Sequence, residues 1–169
     1  MKIFLFPGLL LFAMIQGLFA QTSSQLFAVE RSKNRNCLYY EANIDADSLL
    51  NEKQPLHAYW VMWQKDPSGK TREELSLLEK QKGFGFKTKL APNRKFAWFT
   101  LIPLPARSIK VSIINSKAIS ETVINNRFSL LNKIFISTVE KNFLPKVLSI
   151  ELFGKDVKTG EDTYEKIIN

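Results

Sequence analysis

Residues 31–43 read Arg-Ser-Lys-Asn-Arg-Asn-Cys-Leu-Tyr-Tyr-Glu-Ala-Asn, a dense polar turn running into an alternating segment. The stretch decides the fold because it makes sense only as half of a hairpin. Gln25–Arg31 reads as a first strand, residues 32–35 as a turn and residues 36–43 as a second strand. Asn34 is expected to supply the left-handed backbone angles of a tight turn. In the second strand Leu38, Tyr40 and Ala42 share one face, and Cys37, Tyr39, Glu41 and Asn43 share the other.

Working outward, the same grammar repeats. Residues 56–64 (Leu-His-Ala-Tyr-Trp-Val-Met-Trp-Gln) are apolar or aromatic on both faces, as expected of a covered, central strand. Asp66-Pro67-Ser68-Gly69 is a turn. Residues 72–82 read as a helix, with Thr71 as N-cap, Glu74 completing a capping box and Gly83 as a left-handed C-cap. Leu75 and Leu78 would dock it. Alternating strands then follow near residues 84–90, 95–102, 108–113, 118–124, 127–139, 147–153 and 163–168, with turns expected at Pro92-Asn93, Asn115-Ser116, Asn125-Asn126 and Thr159-Gly160. The expected architecture is all-β and mainly antiparallel: one sandwich or barrel of about nine or ten strands with one inserted α-helix. The spacing does not separate sandwich from barrel.

The N-terminal segment stands apart. Lys2, an apolar run from residue 3 to 15, and Leu18-Phe19-Ala20 ahead of polar Gln21 have the order of a secretory signal peptide at residues 1–20, cut after Ala20. The run is short for a membrane span, which needs roughly 20 residues. The remaining 149 residues suffice for one domain, so the chain is expected to be exported, periplasmic or secreted. Cys37 is the sole cysteine, which rules out an internal disulfide and reads as a packing residue. The net charge is +8. Residues 21–82 hold nine basic and nine acidic side chains, and residues 83–169 hold fourteen basic and seven acidic. The lysines are scattered singly, without a basic run or a nucleic-acid motif, so a solvated surface is expected and nucleic acid is not.

Motifs of catalysis are missing. There is no phosphate-binding glycine loop and no Gly-x-Ser-x-Gly elbow. One His and one Cys do not make a zinc site, and Asp45 and Asp47 lack the spacing of a calcium loop. No metal or cofactor is expected. His57 opens an aromatic strand, where a hydrogen-bonded structural histidine is the commoner case than a base. Tyr39, Tyr59, Trp60, Trp63, Phe84 and Phe86 head the aromatic set. Most of them are expected in the core, yet Trp60 and Trp63 differ in parity, so one strand presents a large ring on each face.

Arg31-Ser32-x-Asn34-x-Asn36 followed by Tyr40-x-Ala42-Asn43 resembles the opening signature of the domain-of-unknown-function family numbered 4833. Tyr59-Trp60-Val61, Gly83-Phe84-Gly85-Phe86, Ile150-Glu151-Leu152-Phe153-Gly154-Lys155-Asp156 and Tyr164-Glu165-Lys166 fit its later parts. The resemblance implies an exported single domain over most of residues 26–168 and carries no activity with it. The leading functional expectation is a non-enzymatic exported β domain that binds a ligand or an envelope partner. The candidate binding residues are Arg31, Asn34, Asn36, Asn43, His57 and Tyr59, with an architectural role favoured for the asparagines. Arg31 offers a fork suited to carboxylate or phosphate. The alternatives are a hydrolase of envelope or extracellular material, which needs a concave site near Arg31, His57 and Tyr59, and a carrier of small hydrophobic ligands, which needs an apolar interior cavity.

Overall fold

The computed structural model describes residues 24–141 and 144–168; the expected signal segment 1–20 lies outside them. Among the described residues eleven strands run in chain order: β1 (Gln25–Arg31), β2 (Asn34–Ala42), β3 (Leu56–Val61), β4 (Arg72–Glu74), β5 (Phe86–Leu90), β6 (Phe96–Leu101), β7 (Ser108–Ile114), β8 (Lys117–Ile124), β9 (Arg127–Lys141), β10 (Leu144–Asp156) and β11 (Asp162–Ile168). They form one curled mixed sheet, a half-barrel with the order β4-β3-β2-β1-β9-β8-β7-β6-β5, while β10 pairs with β9 and β11. All neighbours are antiparallel except β1 and β9, which pair in parallel through Ala28–Arg31 and Lys133–Ile136.

Strand β9 joins the two halves. Its beginning pairs with β8 through residues 127–130, and its middle pairs with β1 through residues 133–136. The inward residues change parity between the two, from Ser129 and Leu131 to Ile134 and Ile136. The switch coincides with a register shift against β10, where Gly154 faces Leu131 and Phe153 faces Lys133. Asn132 is the extra residue of this β-bulge, and a bulge bends and twists its strand. The bend lets one long strand feed both halves.

The halves close on each other through rings. Phe27 stacks on Tyr40 at 4.8 Å and on Phe99 at 5.9 Å, and Phe86 meets Tyr40 edge-on at 5.8 Å. Offset and edge-on pairs of this kind add roughly 0.5–1.5 kcal/mol each beyond area burial. A void of only about 10 Å³ lies beside Val29, Tyr40 and Ile134, about the minimum for one water. A hydrophobic ligand enclosed between the halves has no space there.

The hairpin β7–β8 turns through Asn115 and Ser116, and β8–β9 through Asn125 and Asn126, with all four φ angles positive. This is the type I′ pattern whose twist matches flanking strands. Asn34 departs from the expected left-handed angles: it is absent from the positive-φ residues and serves the turn with its side chain instead.

The expected helix at residues 72–82 is corrected. Arg72–Glu74 pairs with Val61, Trp60 and Tyr59 as edge strand β4, and only a helical turn follows, from Leu77 to Gly83. Backbone pairing to β3 outweighs the local helical preference of Arg-Glu-Glu, because propensity differences are only tenths of a kcal/mol per residue. The capping box is Ser76-x-x-Glu79, not Thr71-x-x-Glu74: the Glu79 carboxylate accepts from the Ser76 N–H at 2.9 Å, and the Glu79 N–H donates to the Ser76 hydroxyl at 3.3 Å. Leu75 is buried as expected, but Leu78 is 62% exposed. Gly83 does not take a left-handed conformation; the turn closes with the Phe84 N–H donating to the Glu79 carbonyl at 2.7 Å, five residues back.

Candidate ligand-binding site

Arg31 ends β1, just past a register shift in the β1–β2 ladder. Its guanidinium carbon sits 4.2 Å from the Trp60 ring centroid and 5.5 Å from that of Phe84. The two rings meet edge-on at 5.0 Å. Three separate segments build this stack. Strand β3 directs Trp60 inward, the hairpin delivers Arg31, and the chain after the helical turn brings Phe84. Tyr40 locks the last of these, its hydroxyl donating to the Phe84 carbonyl at 2.6 Å. Glu79 completes the constellation by accepting from Trp60 Nε1 at 3.0 Å.

Burial pulls the Arg31 pKa down, with Glu79 and Cys37 acting in the opposite direction. The guanidinium stays charged, since arginine starts so far above neutrality. Its Nη2 donates to Asn34 Oδ1 at 3.4 Å, and its buried Nε has no acceptor among the described residues. Beside Arg31 runs a surface groove of about 350 Å³. Phe84, Pro103, Ile136 and Val147 form its apolar wall, Leu78 a lip, and Lys33, Lys82 and Glu79 stand on its margin. The volume falls within the range of about 300–1,000 Å³ usual for small-molecule sites.

Of the remaining predicted residues Asn34 meets Arg31, while Asn36, Asn43, His57 and Tyr59 do not gather around it. Asn34 Oδ1 also accepts from the Asn36 N–H at 3.1 Å, an Asx-type closure of the turn. Asn36 is buried, and its Oδ1 accepts from the Gln64 N–H at 3.0 Å, anchoring the chain beyond β3. Asn43 donates from Nδ2 to the Gln54 carbonyl at 2.8 Å. All three asparagines hold backbone, in the architectural role. His57 and Tyr59 lie on the face of β3 opposite Trp60. His57 Nε2 is 2.8 Å from Glu74 Oε1. Tyr59 donates to Glu41 at 2.5 Å and lies under the Arg72 guanidinium at 4.5 Å. Burial, then the Glu41 hydrogen bond and charge, push the Tyr59 phenol well above its usual range. Cys37 is half-buried, and burial raises its thiol, the opposite of an activated nucleophile.

His57 lines a second concavity of about 300 Å³, with Glu74 and Lys80 on one side and Phe86 and Thr88 on the other. This is the mouth of the half-barrel, where the edge strands β4 and β5 fail to meet. Asp45 and Asp47 both pair with Arg94, whose Nε donates to the Leu50 carbonyl at 2.8 Å. They fasten a loop.

Sequence reading missed Glu79, Leu78 and the wall of Pro103, Ile136 and Val147. The Ser76-x-x-Glu79 spacing could have located the first; the wall has no local signature because it combines the turn after β6 with the paired strands β9 and β10. Gly85 carried a second missed signal. A Cβ there would stand 1.6 Å from the Lys80 carbonyl oxygen, so only glycine lets the helical turn press against the chain entering β5.

A curled all-β half-barrel with a packed interior and a surface groove headed by one stacked arginine defines the class. The profile described as "Domain of unknown function (DUF4833)" matches residues 27–166, and the chain belongs to that family. No curated protein and no solved structure matches it. Among the described residues no helix is long and apolar enough to cross a membrane.

Proposed function

We propose that this protein is a non-enzymatic exported β domain that binds a ligand or a cell-envelope component through the Arg31 groove. The observation that carries it is the Arg31 guanidinium stacked on Trp60 and Phe84 at the edge of a groove of about 350 Å³. A stacked, partly desolvated arginine with unused donors is a costly arrangement for a surface without a task. Export rests on the leader-like residues 1–20.

The test compares wild type with Arg31→Met, which keeps an unbranched apolar side chain and removes the guanidinium over Trp60. Both are incubated with an envelope extract and assayed by native mass spectrometry and thermal shift. A bound mass and a raised melting temperature in wild type alone are expected. Equal retention by Arg31→Met overturns the proposal.

A hydrolase of envelope or extracellular material is the competing reading, supported by the His57–Glu74 pair in the second concavity. It requires His57→Ala to abolish turnover of an ester, amide or glycoside panel. Unchanged turnover in that variant removes it.

A further inference from the structure

We infer that the occupant of the Arg31 groove is a single-chain anionic amphiphile, its carboxylate or phosphate at Arg31 and its alkyl chain along Phe84, Pro103, Ile136 and Val147. The inference rests on the binding function proposed above and adds the chemical class.

Three observations converge on it. The first is charge: among the described residues the cations Arg31 and Lys82 border the groove against one carboxylate, Glu79. Glu79 is itself engaged by Trp60 Nε1 and Ser76, so the net field at the margin favours an anion. The second is donor supply. Of the five N–H donors of a guanidinium, one is engaged, Nη2 on Asn34, and Nε is buried from solvent, so the remaining Nη donors are those a groove ligand can meet. A carboxylate or phosphate oxygen is the partner whose geometry matches the fork. The third is the wall, which is mainly carbon and ends at the exposed lip of Leu78. An inorganic anion or a sugar acid would leave that wall wet, whereas an alkyl chain covers it. The groove is near the lower end of ligand-site volumes, and the interior void of about 10 Å³ admits no second chain.

The experiment uses decanoate and decyl phosphate as the two headgroup sources, decyl maltoside as the uncharged chain, and inorganic phosphate as the chainless anion. All are used below micelle-forming concentrations. Trp60 fluorescence reports binding in a Trp63→Phe, Trp98→Phe background, with calorimetry on the unmodified chain. Either or both decyl anions are expected to bind at least tenfold tighter than decyl maltoside and inorganic phosphate. Arg31→Met should lower that affinity at least tenfold, toward the maltoside value. Leu78→Asp, at the exposed lip, should weaken the decyl anions while leaving the melting temperature close to wild type.

Equal binding of decyl maltoside overturns the charge requirement, and equal binding of inorganic phosphate overturns the chain requirement. No binding of either decyl anion to folded protein overturns the inference as a whole. If the envelope extract still yields an Arg31-dependent ligand in that last case, the binding function stands and only its chemical class is wrong. If Arg31→Met changes nothing in either experiment, both fall.

Discussion

Tyr40→Phe isolates a hydroxyl that connects the core to the groove. Tyr40 is 1% exposed, and its ring packs against Phe27 at 4.8 Å, Phe86 at 5.8 Å and Phe99 at 6.3 Å. Phenylalanine keeps all three contacts. What disappears is the 2.6 Å hydrogen bond to the Phe84 carbonyl. Removing one partner and leaving the other without a donor costs about 1–3 kcal/mol, against about 1 kcal/mol for an average bond. At roughly 2–4 °C per kcal/mol for a domain approaching this size, the melting temperature should fall by roughly 2–12 °C. The assay is urea denaturation followed by Trp fluorescence. The midpoint should drop with an unchanged slope, because no surface burial changes. Burial holds the phenol neutral far above its usual range, so the cost should be the same at pH 6 and pH 9. Above the ordinary tyrosine value of about 10 the unfolded chain ionises first, so the contribution of Tyr40 to wild-type stability falls there and the gap narrows. The Trp60 spectrum should shift as well, since Phe84 rests edge-on against that ring. A variant as stable as wild type, or one destabilised with no change at Trp60, would refute the link between the buried hydroxyl and the placement of Phe84.

Other perturbations probe the same framework. Gly85→Ala drives a methyl to within 1.6 Å of the Lys80 carbonyl oxygen, and a loss of about 1–3 kcal/mol or more is expected from calorimetry. Asn36→Ala frees the Gln64 N–H; a cost of about 1–3 kcal/mol should come with faster amide exchange at Gln64 by NMR. Hydrogen bonds from Ser68, with those from Thr71, hold the Asp66 carboxyl down to about 2. Its NMR titration should therefore be centred near pH 2, and the order it lends the turn should be present above about pH 4 and lost as pH falls through 2. Edge strand β5 exposes Lys87 and Lys89. Lys87→Val with Lys89→Val should raise the sedimentation-measured mass by edge pairing, because edge lysines discourage such association.

Most of the strands are legible in the residue pattern. Period-two alternation and asparagine turns are local properties, set by which side of a pleat a residue occupies and which residues tolerate positive φ. Asn115-Ser116 and Asn125-Asn126 are legible for that reason. The same local reading failed at Arg72–Glu74. Those residues suit a helix start, but pairing with Tyr59–Val61 recruits them into the sheet, and no local signal announces a partner across a loop. Long-range packing sets the parallel β1–β9 contact, which joins segments about a hundred residues apart, and the bend at the Asn132 bulge. It also decided the site. Arg31 was visible as a distinctive residue, but its place on Trp60 and Phe84 depends on three strands and a helical turn meeting. His57 and Tyr59 are candidates by residue type, and strand parity sends them to the opposite face. A side chain's chemistry is written in the sequence; what it faces depends on long-range packing.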